Sequence, residues 1–515
     1  MKLNQLTEVL SGKKSSWNEI ITVILGGKGV SVYPNSLFES NGTYFLIGRE
    51  VYDKYLYVFS ADKESASLKD FEGKIECEED FCLKRCSFTT ANRKSLQKIF
   101  PFTVAKPLGA VNSMGMGDRL GFANAAHIRA IRGSGFLPIL AQQSIRELTR
   151  TQRTPDDVMD AAVWGVFQEG YTEAFGSDAD HLKNTEDIDR LYKAGFTMFT
   201  FDPGEHVNNS ADTLNEEELY KAVANLPWAD LKDTFPAAER RYSDKKFEIS
   251  PDCIIEVSAN DFLKAYAKYG KAILHIKKMY DHLFSIAVPG SFEVEVSVDE
   301  TESVTSPFEH FFFSSELKRL NVKYVSLAPR FVGSFEKGVD YKGDLELFRK
   351  EYIKHLAITK YFGNYKISLH SGSDKFSVYK VIGSMKQAYT HVKTAGTSYL
   401  EALKVVAINN PSLFRKIFDF ASSLYETEKM SYHVSADLKN LKQGNGYADS
   451  ELPALFDSLD ARQVLHVTFG RTLTEKNDKG DFLFKNDIIN CLRENEESHY
   501  ELIINHFNKH IEPFK

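Results

Sequence analysis

The sequence predicts an α/β fold, a TIM-like (β/α)8 barrel with an N-terminal β-rich module and a helical C-terminal tail. Three observations carry this. From about residue 104, short apolar runs alternate with longer stretches of helical period, the βα texture of a parallel sheet. Eight or nine such units follow one another over ~360 residues, which fits a closed barrel better than an open sheet. Polar and charged residues also collect at the C-terminal ends of the candidate strands, the face on which barrels build their sites.

Residues 1–100 read as the β-rich module, because runs such as TYFLIGREVY and KYLYVFSA lie close together and are broken by Gly, Asn and Lys. Residues 104–475 read as the barrel. Its candidate strands are VAKPLGAVNSM, FLPILAQQS, EAFGSDADH, GFTMFTFDP, SFEVEVSVDE, KYVSLAPRF, YKISLHSG, AYTHVKTAG and QVLHVTFGR. An inserted, partly helical segment at about 204–290 separates the fourth from the fifth. Helices are expected in GFANAAHIRAIRG, FEHFFFSSELKRL and TPDDVMDAAVWGVFQEGY, the last with Thr154 as N-cap and Pro155 at its first position. Residues 476–515 form the helical tail.

Composition excludes several classes. The net charge is −7, from 64 basic and 71 acidic residues, with no basic stripe, so no nucleic-acid partner is expected. No uninterrupted run of ~18 apolar residues exists to span a membrane, and the N-terminus lacks a signal-like apolar core. Cys77, Cys82 and Cys86 are spaced C-x4-C-x3-C, which is not a zinc-ribbon pattern, so a reduced, cytoplasmic protein is expected. A homo-oligomer is compatible with the sequence.

GMGDRLG (115–121) resembles a dinucleotide loop, but its spacing is G-x-G-x-x-x-G and the next strand ends in Gln142 and Gln143 instead of an acid. No NAD is expected. Asp118 either caps the following helix or, with Arg119, contacts substrate. In QQSIRELTRTQRTP the trio Arg146, Arg150 and Arg153 reads first as a solvated helix face, and second as a carboxylate-binding group.

The mouth residues follow from the strand ends. LAQQS supplies Gln143, FTFDP supplies Asp202, SLAPR supplies Arg330, and LHSGSDK and HVKTAG supply His370, Lys375, His391 and Lys393. In SFEVEVSVDE a period of two puts Glu293, Glu295, Ser297 and Asp299 on one face and valines on the other. An acidic inner face needs a metal, a cation or protonation, which makes Glu295 a functional candidate. FGSDADHLK (175–183), read alone, is a metal site, an acid/base site or a capped helix start. Its fifth position is Leu182 with no following glycine, which excludes a calcium loop. At a strand end, His181 becomes a metal ligand and Asp180 its acid/base neighbour, with Asp178 a cap or supporting group. With His310 in the first turn of the next helix and with His370, it would bind a divalent cation such as Zn, Mn, Ni or Co.

Together GDRLG, QQSIRELTRTQRTP, VMDAAVWGVF, FGSDADHLK, AGFTMFTFDP, VSVDETES, HFFFSSELKRL, LHSGSDKFSVY and HVKTAGTSYLEAL resemble the tagaturonate/fructuronate epimerase family of hexuronate catabolism. They run in order through residues ~105–405. The resemblance implies a metal-dependent isomerase that interconverts two small keto sugar acids by inversion at C4. It places the metal on His181, His310 and His370 and acid/base roles on Asp180 and Glu295. Arg119, Arg330, Lys375 and Lys393 are candidates for the substrate carboxylate and hydroxyls. The C4 hydrogen is not acidic, so retro-aldol cleavage and re-addition is the expected route. The rival readings are a metal-dependent ketose isomerase or class II-type aldolase, and a non-catalytic sugar-binding protein.

Overall fold

A computed structural model describes residues 20–77, 80–386 and 389–515, together with Glu8. In the N-terminal module, strands β1 (Ile21–Leu25), β2 (Lys28–Val32), β3 (Phe38–Ser40), β4 (Thr43–Glu50), β5 (Asp53–Ser60), β6 (Lys74–Cys77) and β7 (Cys82–Cys86) form one antiparallel sheet. The two runs singled out above are its central hairpin, β4 on β5. Alternation gives this sheet two apolar faces. One, with Phe45, Ile47, Leu56 and Val58, joins the core of the barrel helices around Phe167 and Trp164. The other keeps its own cluster around Val30, Val32, Leu46 and Phe59.

The register of β6 on β7 sets Cys77 opposite Cys82, and the two are joined in a disulfide. This corrects the expectation of wholly reduced thiols, which sequence spacing could not refine because the pairing is a cross-strand contact. Cys86, Cys253 and Cys491 are free and buried.

Eight parallel strands close the barrel: β8 (Ser113–Gly115), β9 (Leu137–Ser144), β10 (Gly176–Leu182), β11 (Met198–Phe201), β14 (Glu293–Ser297), β15 (Ser326–Ala328), β16 (Lys366–Leu369) and β17 (Thr390–Lys393). The last pairs with the first, His391 against Ser113. Between β11 and β14 lie two short 3-10 turns, two short α-helices, the hairpin β12 (Lys245–Ser250) and β13 (Cys253–Val257), and the helix Ala259–Ile286, which Ser258 caps. The helix Pro155–Gln168 starts as its sequence demands, with Thr154 and Asp157 in a reciprocal capping box and Pro155 in the first turn.

The ninth expected strand is not one. QVLHVTFGR forms the end of helix Leu459–Val467 and the start of helix Phe469–Thr474. Val464, Leu465, Val467 and Phe469 are all buried among the C-terminal helices, and so are the polar Gln463, His466 and Thr468, so this segment is buried nearly all round. A short run of that kind has no readable period. The chain ends in helices Lys485–Glu494 and Glu496–Ile511, and the second packs against helix Asn124–Ile131. Among the described residues no helix is long and apolar enough to cross a membrane.

Candidate active site

The barrel interior is polar where many barrels are aliphatic. On β14, Val294 and Val296 face the outer helices, while Glu293 and Glu295 point inward, as a period of two requires. Lys393, at the end of β17, supplies the compensating charge. Its Nζ lies 2.8 Å from Asp178, 2.7 Å from Asp180 and 2.7 Å from Glu295, and it donates to Thr200 Oγ1 at 2.7 Å. Burial works to lower the Lys393 pKa, but the three carboxylates outweigh it and hold the ammonium charged. Asp178 and Asp180 are two residues apart on β10 and so share its inner face. Burial pushes Asp178 up to about 6, helped by Asp180 and Glu295 and opposed by Lys393.

Glu295 is fully buried, and every oxygen is occupied. Oε1 meets Lys393 and His370 Nε2 (2.7 Å), and Oε2 accepts from Ser326 Oγ at 2.6 Å. Despite burial, these cations keep it well below the usual carboxylate range. The other ring nitrogen of His370, Nδ1, lies 3.0 Å from Asp299. His181 stands beside it, ring centroids 4.9 Å apart. Its backbone is left-handed, φ 54°, an uncommon conformation for a non-glycine residue that turns the ring over the barrel end. His181 Nδ1 contacts Asp180 Oδ1 at 2.7 Å, and Nε2 faces Asp299 at 3.7 Å and Glu300 at 3.8 Å. Burial opposes charge on both histidines, and the carboxylates around them overcome it. Ligand atoms of Asp180, His181 and His370 all lie within 4.8 Å of one another, as do those of His181, Asp202 and Glu300. Either set is chemically suited to a divalent cation.

A cavity of about 280 Å³ opens over this cluster, lined by Asp180, His181, His370 and Lys393 and also by Arg119, Gln142, Arg146, Glu300, Lys337 and His466. That is small-molecule size.

The other expected residues fall as follows. His310 is not at the mouth. It is buried against helix Leu345–Tyr361, with Nδ1 2.9 Å from His355 Nδ1 and Nε2 2.5 Å from Tyr365 Oη. Being in the first turn after the strand-end loop put it near the mouth in sequence, but its side chain packs toward the neighbouring helix instead. Gln143 also points away from the cavity. Its neighbour Gln142 lines the cavity and donates to Asp180 Oδ2 at 3.0 Å, a one-residue difference that flips the side chain across the sheet. Asp118 accepts from the Gly121 and Ala123 amides, 2.7 Å each, and from Asn124 Nδ2, 2.9 Å, so it caps its loop. Arg119 lines the cavity while pairing with Glu147 at 2.9 Å. Asp202 accepts from Gly204 N at 2.8 Å beside His181. Arg330 donates to Thr301 O and lines an adjacent cavity. Lys375 is fully enclosed and donates to three backbone carbonyls, of Glu336, Val339 and Ser373. Sequence reasoning missed Thr200, Glu300 and Lys337, and it gave Asp178 only a capping or supporting role. For Asp178 a signal existed, its shared face with Asp180. For Lys337, in an irregular loop, none did.

A family model described as tagaturonate epimerase matches residues 33–514. The chain belongs to the tagaturonate epimerase family. The match takes in the N-terminal module from residue 33 onward, the barrel and the C-terminal helices. The tagaturonate/fructuronate epimerase of Thermotoga maritima is 42% identical over 486 residues, which span 94% of this chain and 97% of that protein. Crystal structures of the fructuronate-tagaturonate epimerase UxaE from Cohnella laeviribosi, native and glycerol-bound, superpose with a TM-score of 0.88 at 39% identity. They cover 94% of this chain and 96% of that one. The family places the chain among enzymes of the epimerase type.

Proposed function

We propose that the enzyme interconverts D-tagaturonate and D-fructuronate by inversion at C4. The observation that carries this is the mouth cluster, a buried lysine shared by three carboxylates beside two histidines, under a cavity sized for one small sugar acid. The similar proteins named above for both sugar acids support the substrate assignment.

His181 and His370, beside Asp180, would hold a divalent cation of the Zn, Mn, Ni or Co group. The donor set fits, since Asp180 supports His181 through Nδ1 and Glu295 supports His370 through Nε2, the usual support for a metal-ligating imidazole, which leaves His181 Nε2 and His370 Nδ1 facing Asp299. When bound, such a cation supplies Lewis-acid stabilisation of negative charge on the sugar oxygens. The chain's own groups do the rest. Asp180 lines the cavity and takes the C4 hydroxyl proton, and the C3–C4 bond then breaks to a three-carbon enediolate and a three-carbon aldehyde. The aldehyde turns, the bond re-forms on its other face, and Asp180 returns the proton. Glu295 does not line the cavity, so its part is to hold His370 and Lys393. Lys393, fixed against Asp180, keeps that carboxylate ionised.

Proton NMR of tagaturonate with the enzyme tests this. Fructuronate should appear, and a chelator or His181→Ala should abolish its appearance without unfolding the protein. No fructuronate overturns the activity, and turnover indifferent to chelator overturns the metal. Solvent deuterium entering C4 sinks the retro-aldol route, and steady accumulation of three-carbon fragments instead marks an aldolase.

A further inference from the structure

A sugar acid brings a carboxylate into a mouth whose cations are almost all committed. Arg119 pairs with Glu147 at 2.9 Å and lies over the Phe469 ring, 3.7 Å from its centroid. Arg146 pairs with Glu300 at 3.4 Å, and Lys183 with Glu205 at 3.3 Å. Lys393 holds three carboxylates. Lys337 differs. Its Nζ donates to Ser371 Oγ at 2.6 Å, next to His370, and no carboxylate pairs with it among the described residues; Arg330, also without a carboxylate, donates to Thr301 O and lines only the adjoining cavity.

We propose that Lys337 is the carboxylate-recognition residue of this enzyme and selects sugar acids over neutral ketoses. The inference rests on the epimerase reading above and deepens it. Two features of the fold argue for it. Lys337 lines both the main cavity and the adjoining one of about 230 Å³, and His370, Ser371, Arg146 and Glu300 are common to the two. A substrate reaching from the His370 end into the second cavity passes it.

The loop around Lys337 is also clamped from beneath. Lys375 Nζ donates to Glu336 O at 2.8 Å and to Val339 O at 2.5 Å. Arg462 Nε donates to Gly338 O at 2.7 Å while its Nη2 holds Asp374 at 2.6 Å. The Glu336 carboxylate takes Gln463 Nε2 at 2.8 Å, Ser435 Oγ at 2.7 Å and Lys342 Nζ at 2.9 Å. Four consecutive residues, 336 to 339, therefore include three held by buried side chains, and the one between them projects its ammonium into the site. A flexible lysine loses entropy on binding an anion, and a rigid backbone lowers that cost. Lys375 is then a positioning residue for Lys337.

The test compares wild type, Lys337→Met and Lys337→Arg, each checked for folding by circular dichroism. Steady-state kinetics on D-tagaturonate are set beside equilibrium titration with D-tagaturonate and with the neutral ketose D-tagatose. The expected result for Lys337→Met is a KM for tagaturonate raised about tenfold or more with kcat within about threefold, the signature of lost uniform binding. Its affinity for tagatose should be unchanged, and Lys337→Arg should recover most of the acid affinity. Folded Lys337→Met that binds tagaturonate as tightly as wild type overturns the proposal, as does equal weakening toward acid and neutral sugar. If wild type binds the acid but turns over neither epimer, the epimerase reading fails, and the titration still decides Lys337.

Discussion

Lys393 is the residue on which the site turns, because its one ammonium contacts Asp178, Asp180 and Glu295 together at the buried barrel end. Breaking a buried ion pair by removing one partner typically costs about 3–5 kcal/mol, since the remaining charges lose their compensation. Lys393→Met should therefore lower turnover by two orders of magnitude or more and lower the unfolding free energy by an amount of that size. Chemical denaturation checks the second part, and a variant as stable as wild type would mean the carboxylates are not ionised together. Residue-level legibility followed side-chain direction. Lys393, His181 and His370 lie at strand ends, where the barrel rule applies, and Glu295 lies mid-strand on β14, where the alternation does. The structure places His310 and Gln143 off the mouth by orientation, one turned toward helix Leu345–Tyr361 and the other a single residue out of phase with Gln142.

At the scale of elements, the close approach of helix Leu459–Val467 to the loop after β17 shapes the mouth. A Cβ on Gly396 would stand 1.9 Å from His466 Nε2, so glycine is the residue that lets the helix seat. Gly396→Ala should cost about 1–3 kcal/mol through overpacking and weaken substrate binding, since both residues line the cavity. Adding His466→Ala should restore part of that stability. A double-mutant cycle with no coupling between the two positions would refute the contact. The same helix includes most of the segment read as a ninth strand. Eight strands were legible because they alternate with helices and end in polar groups. The ninth candidate was misread because a fully buried helix shows neither a polar face nor a period.

Across the whole molecule, the C-terminal helix is tied to the loop that carries His370. His506 Nε2 lies 2.5 Å from Asp374 Oδ1 and its Nδ1 lies 2.9 Å from Glu401. Arg462 also binds Asp374, at 2.6 Å. Burial opposes charge on His506, but the two carboxylates prevail and raise it to about 9. The unfolded value is near ~6.5, so the folded pKa is the higher one. Its stabilisation is fully present below ~6.5 and is lost as pH rises toward about 9. The unfolding free-energy difference between wild type and His506→Gln should therefore be largest near pH 6 and shrink steadily to pH 9–10. A pH-independent difference would show that the histidine is neutral in the folded protein.

What the sequence determined by itself is what depends on local order. The strand periods, the capped helix starts, the acidic inner face of β14 and the strand-end histidines of β10 and β16 are all properties of neighbouring residues. What only the tertiary structure decided is which charges meet. Lys393 faces carboxylates from two other strands, Cys77 meets Cys82 across a hairpin, and Lys337 projects from a loop held by residues far along the chain. Those contacts join segments separated by up to hundreds of positions. No periodicity links such segments; barrel closure brings the β10 and β14 carboxylates to Lys393, a hairpin pairs the cysteines, and a C-terminal helix holds the Lys337 loop.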